Sequence, residues 1–147
     1  MRPDISVLNA DGQTVLIVEV KNKAATSPEW AAEFRRNVLA KYLGPTPPFF
    51  LLATPDRFYF WKKRTGRSRL VQPDFVVEPN RFLEPYYPAG AARADSLSGF
   101  ALEFVVGNWL RSLTHNGTRE GGGARWLSTS GLLQAIHGGR VVLEPEA

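Results

Sequence analysis

Residues 14–20, Thr-Val-Leu-Ile-Val-Glu-Val, constrain this chain more than any other stretch. The run is rich in β-branched residues and barely alternates, so it reads as a strand buried on both faces. Such a strand needs a covering layer above and below its sheet. Ser27-Pro28-Glu29 opens a helix, with Ser as N-cap and Pro at the first helical position. Trp30, Phe34, Val38 and Tyr42 then recur every fourth residue as one apolar stripe, and Gly44-Pro45 stops the helix. Two apolar strands follow at 49–53 and 58–61, joined by the turn chemistry of Thr54-Pro55-Asp56-Arg57, and Gly66 marks a turn before 68–71. From Pro73 the periodicity fades, and Pro88-Ala89-Gly90-Ala91-Ala92 reads as a linker or loop. A second strong helix is expected at 96–113, with Leu97, Phe100, Ala101, Phe104, Val105 and Trp109 on one broad face. A short helix at 130–136 and a strand at 140–143 complete the pattern, which is that of an α/β domain with helices packed on a sheet.

Asp11-Gly12 between apolar runs predicts a hairpin joining residues 5–8 to 14–20. With a two-residue loop Ala10 faces Gln13, and Asp4 stands opposite Glu19. A four-residue loop leaves the two carboxylates diagonal on one face, whereas a three-residue loop changes the parity and separates them. Lys21, two positions beyond Glu19, shares its face. Opposed β-carbons in a sheet lie about 5 Å apart, and like charges at that spacing are destabilising unless compensated. A divalent cation compensates them; Mg²⁺ typically takes one or two carboxylates and keeps waters and substrate phosphate in its other positions. Glu19 also interrupts an otherwise apolar strand, where a carboxylate is costly without a partner. The Val20 carbonyl is a further candidate ligand, and Lys21 is placed to orient or deprotonate a water.

Pro3-Asp4, then Glu19-Val20-Lys21, then a helix and the strand at 49–53, resembles the PD-(D/E)xK nuclease superfamily. In texture it resembles the N-terminal nuclease-like domains of type I restriction motor subunits and related stand-alone proteins, and the resemblance covers roughly residues 2–63. It implies a restriction-endonuclease-like mixed sheet flanked by helices, with a core at 1–88 and a helical C-terminal extension at 89–147 packing on it. It further implies Mg²⁺-dependent endonucleolytic hydrolysis of DNA, with Mn²⁺ as a substitute metal. Asp4, Glu19 and Lys21 would be catalytic, and Asp4, Glu19 and Val20 would hold the metal. The alternative is a catalytically inactive module of the same fold that binds nucleic acid or a protein partner. The family often adds a polar residue on the helix after the motif, for which Glu33, Arg36, Asn37 and Lys41 are the candidates. Its core normally opens with a helix and a strand ahead of the Asp strand, and that helix often supplies another carboxylate. Asp4 is the fourth residue, so the resemblance implies an N-terminally truncated core, or one in which the helix at 96–113 takes the missing helix's place with Glu103 as its acidic residue.

Composition narrows the other classes. The chain has no Cys, which excludes disulfides, thiol nucleophiles and thiolate metal sites. No apolar run approaches the roughly eighteen residues of a membrane span, and Met-Arg-Pro-Asp lacks a signal peptide's apolar core, so a cytoplasmic protein without a membrane partner is expected. His115 and His137 have no paired ligand spacing, Ser128 and Ser130 have no evident base, and Gly121-Gly122-Gly123 is not followed by Lys-Ser/Thr. The formal charge of +4 is compatible with a polyanionic partner. Arg57, Lys62, Lys63 and Arg64 form the densest basic cluster, interleaved with the aromatics at 58–61, and Arg36 and Lys41 add to it. Such a stretch either grips a phosphate backbone and stacks bases, or is a hairpin with its aromatics in the core and its charges in water. DNA is the expected partner, in a homodimer or a larger restriction or defence assembly.

Overall fold

The computed structural model of the chain describes residues 2–62, 69–88, 97–116 and 124–143. Strands β1 (Ile5–Leu8), β2 (Thr14–Val20), β3 (Phe49–Ala53), β4 (Phe58–Trp61), β5 (Phe75–Val77) and β6 (Arg140–Leu143) form one sheet in the order β5-β4-β3-β2-β1-β6. The pairing of β2 with β3 is parallel and every other pairing is antiparallel. The parallel pair needs a crossover, and α1 (Pro28–Lys41) supplies it. The remaining helices are α2 (Asn80–Leu83), α3 (Gly99–Asn116), α4 (Trp126–Thr129) and α5 (Leu132–Ile136), with a 3-10 turn at Glu84–Tyr86. No helix among the described residues is long and apolar enough to cross a membrane.

Strand β2 is buried from Val15 to Glu19, as its composition predicts. On one face Ile17 joins Phe50, Leu52, Tyr59 and Trp61 under Ala31, Val38 and Leu39 of α1. On the other face Leu16 and Val18 join Ile5, Leu51, Phe58 and Phe60 under Leu102, Val106, Trp109 and Leu110 of α3. The two helices therefore sandwich the sheet. Ser27 caps α1 as expected, its Oγ accepting the Trp30 N–H at 3.1 Å.

The hairpin between β1 and β2 departs from expectation in an instructive way. Its loop holds three residues, since the Asn9 N–H bonds the Gln13 carbonyl at 2.8 Å. The Asn9 side chain accepts the N–H groups of Asp11 and Gln13, and Gly12 takes a left-handed φ of +85°. A three-residue loop alone would put Asp4 and Glu19 on opposite faces. The register, however, slips between Val7 and Leu8, which restores the pairing of Ile5 with Val18 and Ser6 with Ile17. The irregularity cancels the parity change, and Asp4 again falls beside Glu19.

Other expectations are corrected by packing. Trp30 and Phe34 lie at the edge of α1's buried face, whose centre is Ala31, Arg35, Val38 and Leu39. The outward stripe of α3 is Phe100 and Phe104, which are 74% and 54% exposed; its core face runs through Leu102, Val105, Val106, Trp109 and Leu113. A fifth strand lies in the Pro-punctuated segment where periodicity faded, and there Phe75 and Phe82 join an aromatic cluster with Phe58, Phe60, Trp109 and Trp126. The C-terminal strand forms at 140–143 as read, and it extends the sheet beyond β1. The expected linker at 89–92, the start of the second helix at 96 and the glycines at 121–123 lie outside the described residues.

Two glycines separate steric need from backbone need. A β-carbon at Gly139 would stand 1.9 Å from the Leu8 carbonyl oxygen, where β6 passes the end of β1, and backbone there cannot yield. At Gly12 nothing lies within 4 Å, so only the left-handed φ resists a side chain. Gly139→Ala should cost about 3 kcal/mol or more, and Gly12→Ala about 1 kcal/mol. Urea unfolding of both variants checks this, and equal losses would contradict the close packing of β6 on β1.

Candidate active site

The sheet topology brings the start of β1, the end of β2, the end of β3 and the start of β4 to one end of the molecule. Asp4, Glu19 and Lys21 all stand there. The Asp4 N–H donates to Glu19 Oε2 at 2.8 Å, and the Val20 N–H donates to Asp4 Oδ2 at 2.8 Å. The two carboxylates thus hook each strand to the other in place of a continued backbone ladder. Each spends one oxygen on a backbone N–H; Asp4 Oδ1 and Glu19 Oε1 take no part in these two bonds. Lys21 prolongs β2 through its N–H to the Ala53 carbonyl at 2.9 Å, and its Nζ lies 5.3 Å from the centre of the Phe34 ring on α1. Lys23 stands over Trp30 in the same way, at 5.4 Å.

Glu19 is only 5% exposed, and its carboxyl is pushed up to about 7. Burial is the largest cause; the charges of Asp4 and Glu103 push the same way, while the Asp4 N–H and the Lys21 ammonium oppose them. The first turn of α3 lies against the residues after the Glu-x-Lys segment, where a β-carbon at Gly99 would stand in ordinary contact with Asn22 Cβ at 3.4 Å. Glu103, the acidic residue on α3, adds a small upward push to the Glu19 pKa. Asp4 and Glu19 are the carboxylates that this end of the sheet holds side by side. Among the described residues, no group of three or more His, Cys, Asp and Glu side chains is gathered closely enough to hold a metal by itself.

The candidate basic residues are not brought together. Arg57, at the turn before β4, is at the carboxylate end, where its Nη1 donates to the Thr26 carbonyl at 3.3 Å. Lys62 follows the far end of β4, its N–H held by Asp74 Oδ2 at 2.9 Å, and Lys41 ends α1 at that same far end. Arg36 is half-buried along α1, while Lys63 and Arg64 lie outside the described residues. The interleaved aromatics belong to the core: Phe58, Tyr59, Phe60 and Trp61 are all buried, so they offer no face to a base. Tyr59 OH instead bonds Thr26 Oγ1 at 2.8 Å, and Trp61 Nε1 donates to the Val71 carbonyl at 2.8 Å. Arg35 is buried as well, its guanidinium 5.7 Å from the Trp61 ring centre; burial holds its pKa below the ordinary arginine value, against the opposing charge of Asp74. Asp56, read as a turn residue, does bond Thr54, and it also accepts the N–H of Ala25, a non-glycine residue held at a φ of +57° in the loop beyond Lys21.

The raised Glu19 pKa sets a pH dependence of stability. Between 4.5 and about 7 the folded protein holds a proton that the unfolded chain has released, so stability falls as the pH rises through that window and is level above it. A displacement of that size corresponds to about 3 kcal/mol. Glu19→Gln keeps an acceptor for the Asp4 N–H and carries no charge. In metal-free buffer it should be about 1–3 kcal/mol more stable than the wild type at pH 8, with the difference closing below pH 4.5. Urea unfolding at both pH values checks this, and a difference independent of pH would rule Glu19 out as the titrating group. Set against known protein families, curated proteins and solved structures, the chain matches none of them.

Proposed function

We propose that this end of the sheet is a metal-dependent nuclease site of the PD-(D/E)xK kind, which hydrolyses phosphodiester bonds in DNA. The observation that carries the reading is the reciprocal hook of Asp4 and Glu19 with Lys21 on the same strand face. A carboxylate whose pKa is raised first by burial and further by the charge of Asp4, with Lys21 as the opposing cation, is a site whose electrostatics favour a divalent ion. The order β6, β1, β2, α1, β3 supports the resemblance further, because β6 stands beside β1 as the family's first strand would.

The residues fit Mg²⁺, or Mn²⁺ in its place: Asp4 and Glu19 would hold it with the Val20 carbonyl, leaving other positions for waters and a phosphate oxygen. When bound, such an ion polarises the phosphate and lowers the pKa of a bound water. The chain's own residues do the rest. Lys21, its ammonium over Phe34 and its charge felt by Glu19, would orient the attacking water and offset negative charge building on the phosphate. Glu19 must lose its proton to serve as a ligand, so loading competes with protonation and strengthens as the pH rises through about 7. Arg57, at the same end, is the described basic residue best placed to meet the phosphate backbone beyond the scissile bond.

The scarcity of carboxylates favours one second reading, a non-catalytic module of the same fold that binds nucleic acid or a protein partner. Plasmid cleavage separates the two. With Mg²⁺ or Mn²⁺ the wild type should nick or linearise DNA, faster at pH 8 than at pH 6. Asp4→Ala, Glu19→Ala and Lys21→Ala should each lower the rate by about a hundredfold or more, whereas Lys41→Ala, at the far end, should leave it near the wild-type value. Salt-sensitive DNA binding without cleavage by the wild type would establish the module instead, and absence of both would overturn the nucleic-acid assignment.

A further inference from the structure

Lys21 is followed by a loop, residues 22–26, that carries the chain from the end of β2 to the cap of α1. The chain reverses at once, with the Lys23 N–H bonded to the Lys21 carbonyl at 2.9 Å. Two residues later Ala25 takes a φ of +57°, the one left-handed residue other than glycine among the described residues. That conformation crowds an alanine β-carbon against the following carbonyl oxygen, so the surroundings must hold the residue there. Asp56 does so from the turn between β3 and β4: its Oδ2 accepts the Ala25 N–H at 3.1 Å. The turn itself is firm. Thr54 is fully buried, its N–H donates to the Arg57 carbonyl at 2.9 Å, and its Oγ1 accepts the Arg57 N–H at 3.1 Å. Two further bonds tie down the next residue of the loop: the Thr26 carbonyl accepts from Arg57 Nη1 at 3.3 Å, and Thr26 Oγ1 pairs with Tyr59 OH at 2.8 Å.

Every residue from Lys21 to Ala25 is exposed, so hydrogen bonds rather than packing fix the course of the loop. Of the three that join it to the turn, the Asp56 bond is the one that reaches the left-handed residue, and its acceptor is a carboxylate, which makes it the stronger kind. The course of the loop matters for the two lysines it adjoins. Lys21 Nζ lies 5.3 Å from the centre of the Phe34 ring, and Lys23 Nζ 5.4 Å from that of Trp30. A cation over a ring at an exposed position gains little, and ordering a lysine side chain costs a comparable amount. The ring therefore selects one lysine position only where the backbone already presents the side chain to it. On the β3 side that backbone is held by the Lys21 N–H on the Ala53 carbonyl, and on the other side by the reversal that Asp56 anchors.

We propose that Asp56 is a positioning residue for Lys21: by anchoring the left-handed turn at Ala25 it fixes the loop that sets the Lys21 ammonium over Phe34. The chemistry that Lys21 then performs rests on the nuclease reading; its placement does not. The test compares ¹³C-edited NMR spectra and plasmid cleavage for the wild type, Asp56→Ala and Asp56→Asn. In the wild type the ε-methylene protons of Lys21 should be shifted upfield by the ring beneath them. Asp56→Ala should move them to the position of a solvated lysine, whereas Asp56→Asn, which keeps an acceptor oxygen, should hold them near the wild-type value. Ala25→Gly added to Asp56→Ala should recover part of the shift, because glycine takes the left-handed φ without an anchor. With Mg²⁺ the kcat of Asp56→Ala should fall about tenfold or more at a KM near that of the wild type. Its affinity for Mn²⁺, measured by calorimetry, should stay unchanged, since Asp4 and Glu19 are held by other bonds. Should Asp56→Ala fail to fold, Asp56→Glu, which keeps the charge and displaces the oxygens, provides the same reading. Lys21 signals that stay in place in a folded Asp56→Ala or Asp56→Glu variant would overturn the proposal, whether or not the wild type cleaves DNA. A shift lost in Asp56→Ala and recovered by neither asparagine nor glycine would also overturn it, by assigning Asp56 to the stability of its own turn. Signals that move and recover as expected in a chain that does not cleave DNA uphold the placement and sink the nuclease reading alone.

Discussion

The two-sided burial of β2 is the constraint on which the rest depends. A strand without a solvent face cannot lie at an edge, so it must be flanked by strands and covered by layers on both sides. Strands β1 and β3 flank it, α1 covers one face and α3 the other. The consequence for chemistry is direct. Glu19 sits on that strand, and the same layers that exclude water from Ile17 and Val18 nearly exclude it from the carboxylate. The fold therefore places a group that prefers charge where charge is disfavoured, and relieves this only in part, with one backbone N–H and one lysine. Groups held so far from their solution behaviour are concentrated at functional sites.

Local chemistry made the central part of this arrangement readable. The Ser-Pro-Glu start of α1, the limits of β3, β4 and β6, and the two-sided burial of β2 all follow from residues adjacent in sequence. The adjacency of Asp4 and Glu19 was legible too, but through the wrong turn. Asp11-Gly12 announces a hairpin without announcing that Asn9 widens it to three residues, or that the strand slips at Val7 to compensate. Two departures cancelled, and only the pressure to keep Ile5 and Val7 in the core makes that cancellation necessary.

What could not be read are the facts that depend on distant partners. Phe100 and Phe104 have the spacing of a core stripe on α3, yet Leu102, Val106 and Trp109 face the sheet, because the phase of a largely apolar helix is settled by what it packs on. The aromatics of β4 were equally compatible with stacking on bases until α2 and α4 brought Phe82 and Trp126 against them.

The return of β6 to the side of β1 has a kinetic meaning. Pairing β1 with β6 joins segments near the two ends of the described chain, which is the most non-local contact in the sheet, and such contacts form late. During synthesis the hairpin of β1 and β2, with its Asp4–Glu19 hook, emerges first and can close on its own. Helix α3 and strand β6 come last, and with them the Glu103 charge and the cover over the Leu16–Val18 face. The face that α3 covers, with Leu16 and Val18, therefore stays open to water until the last elements of the fold have been made.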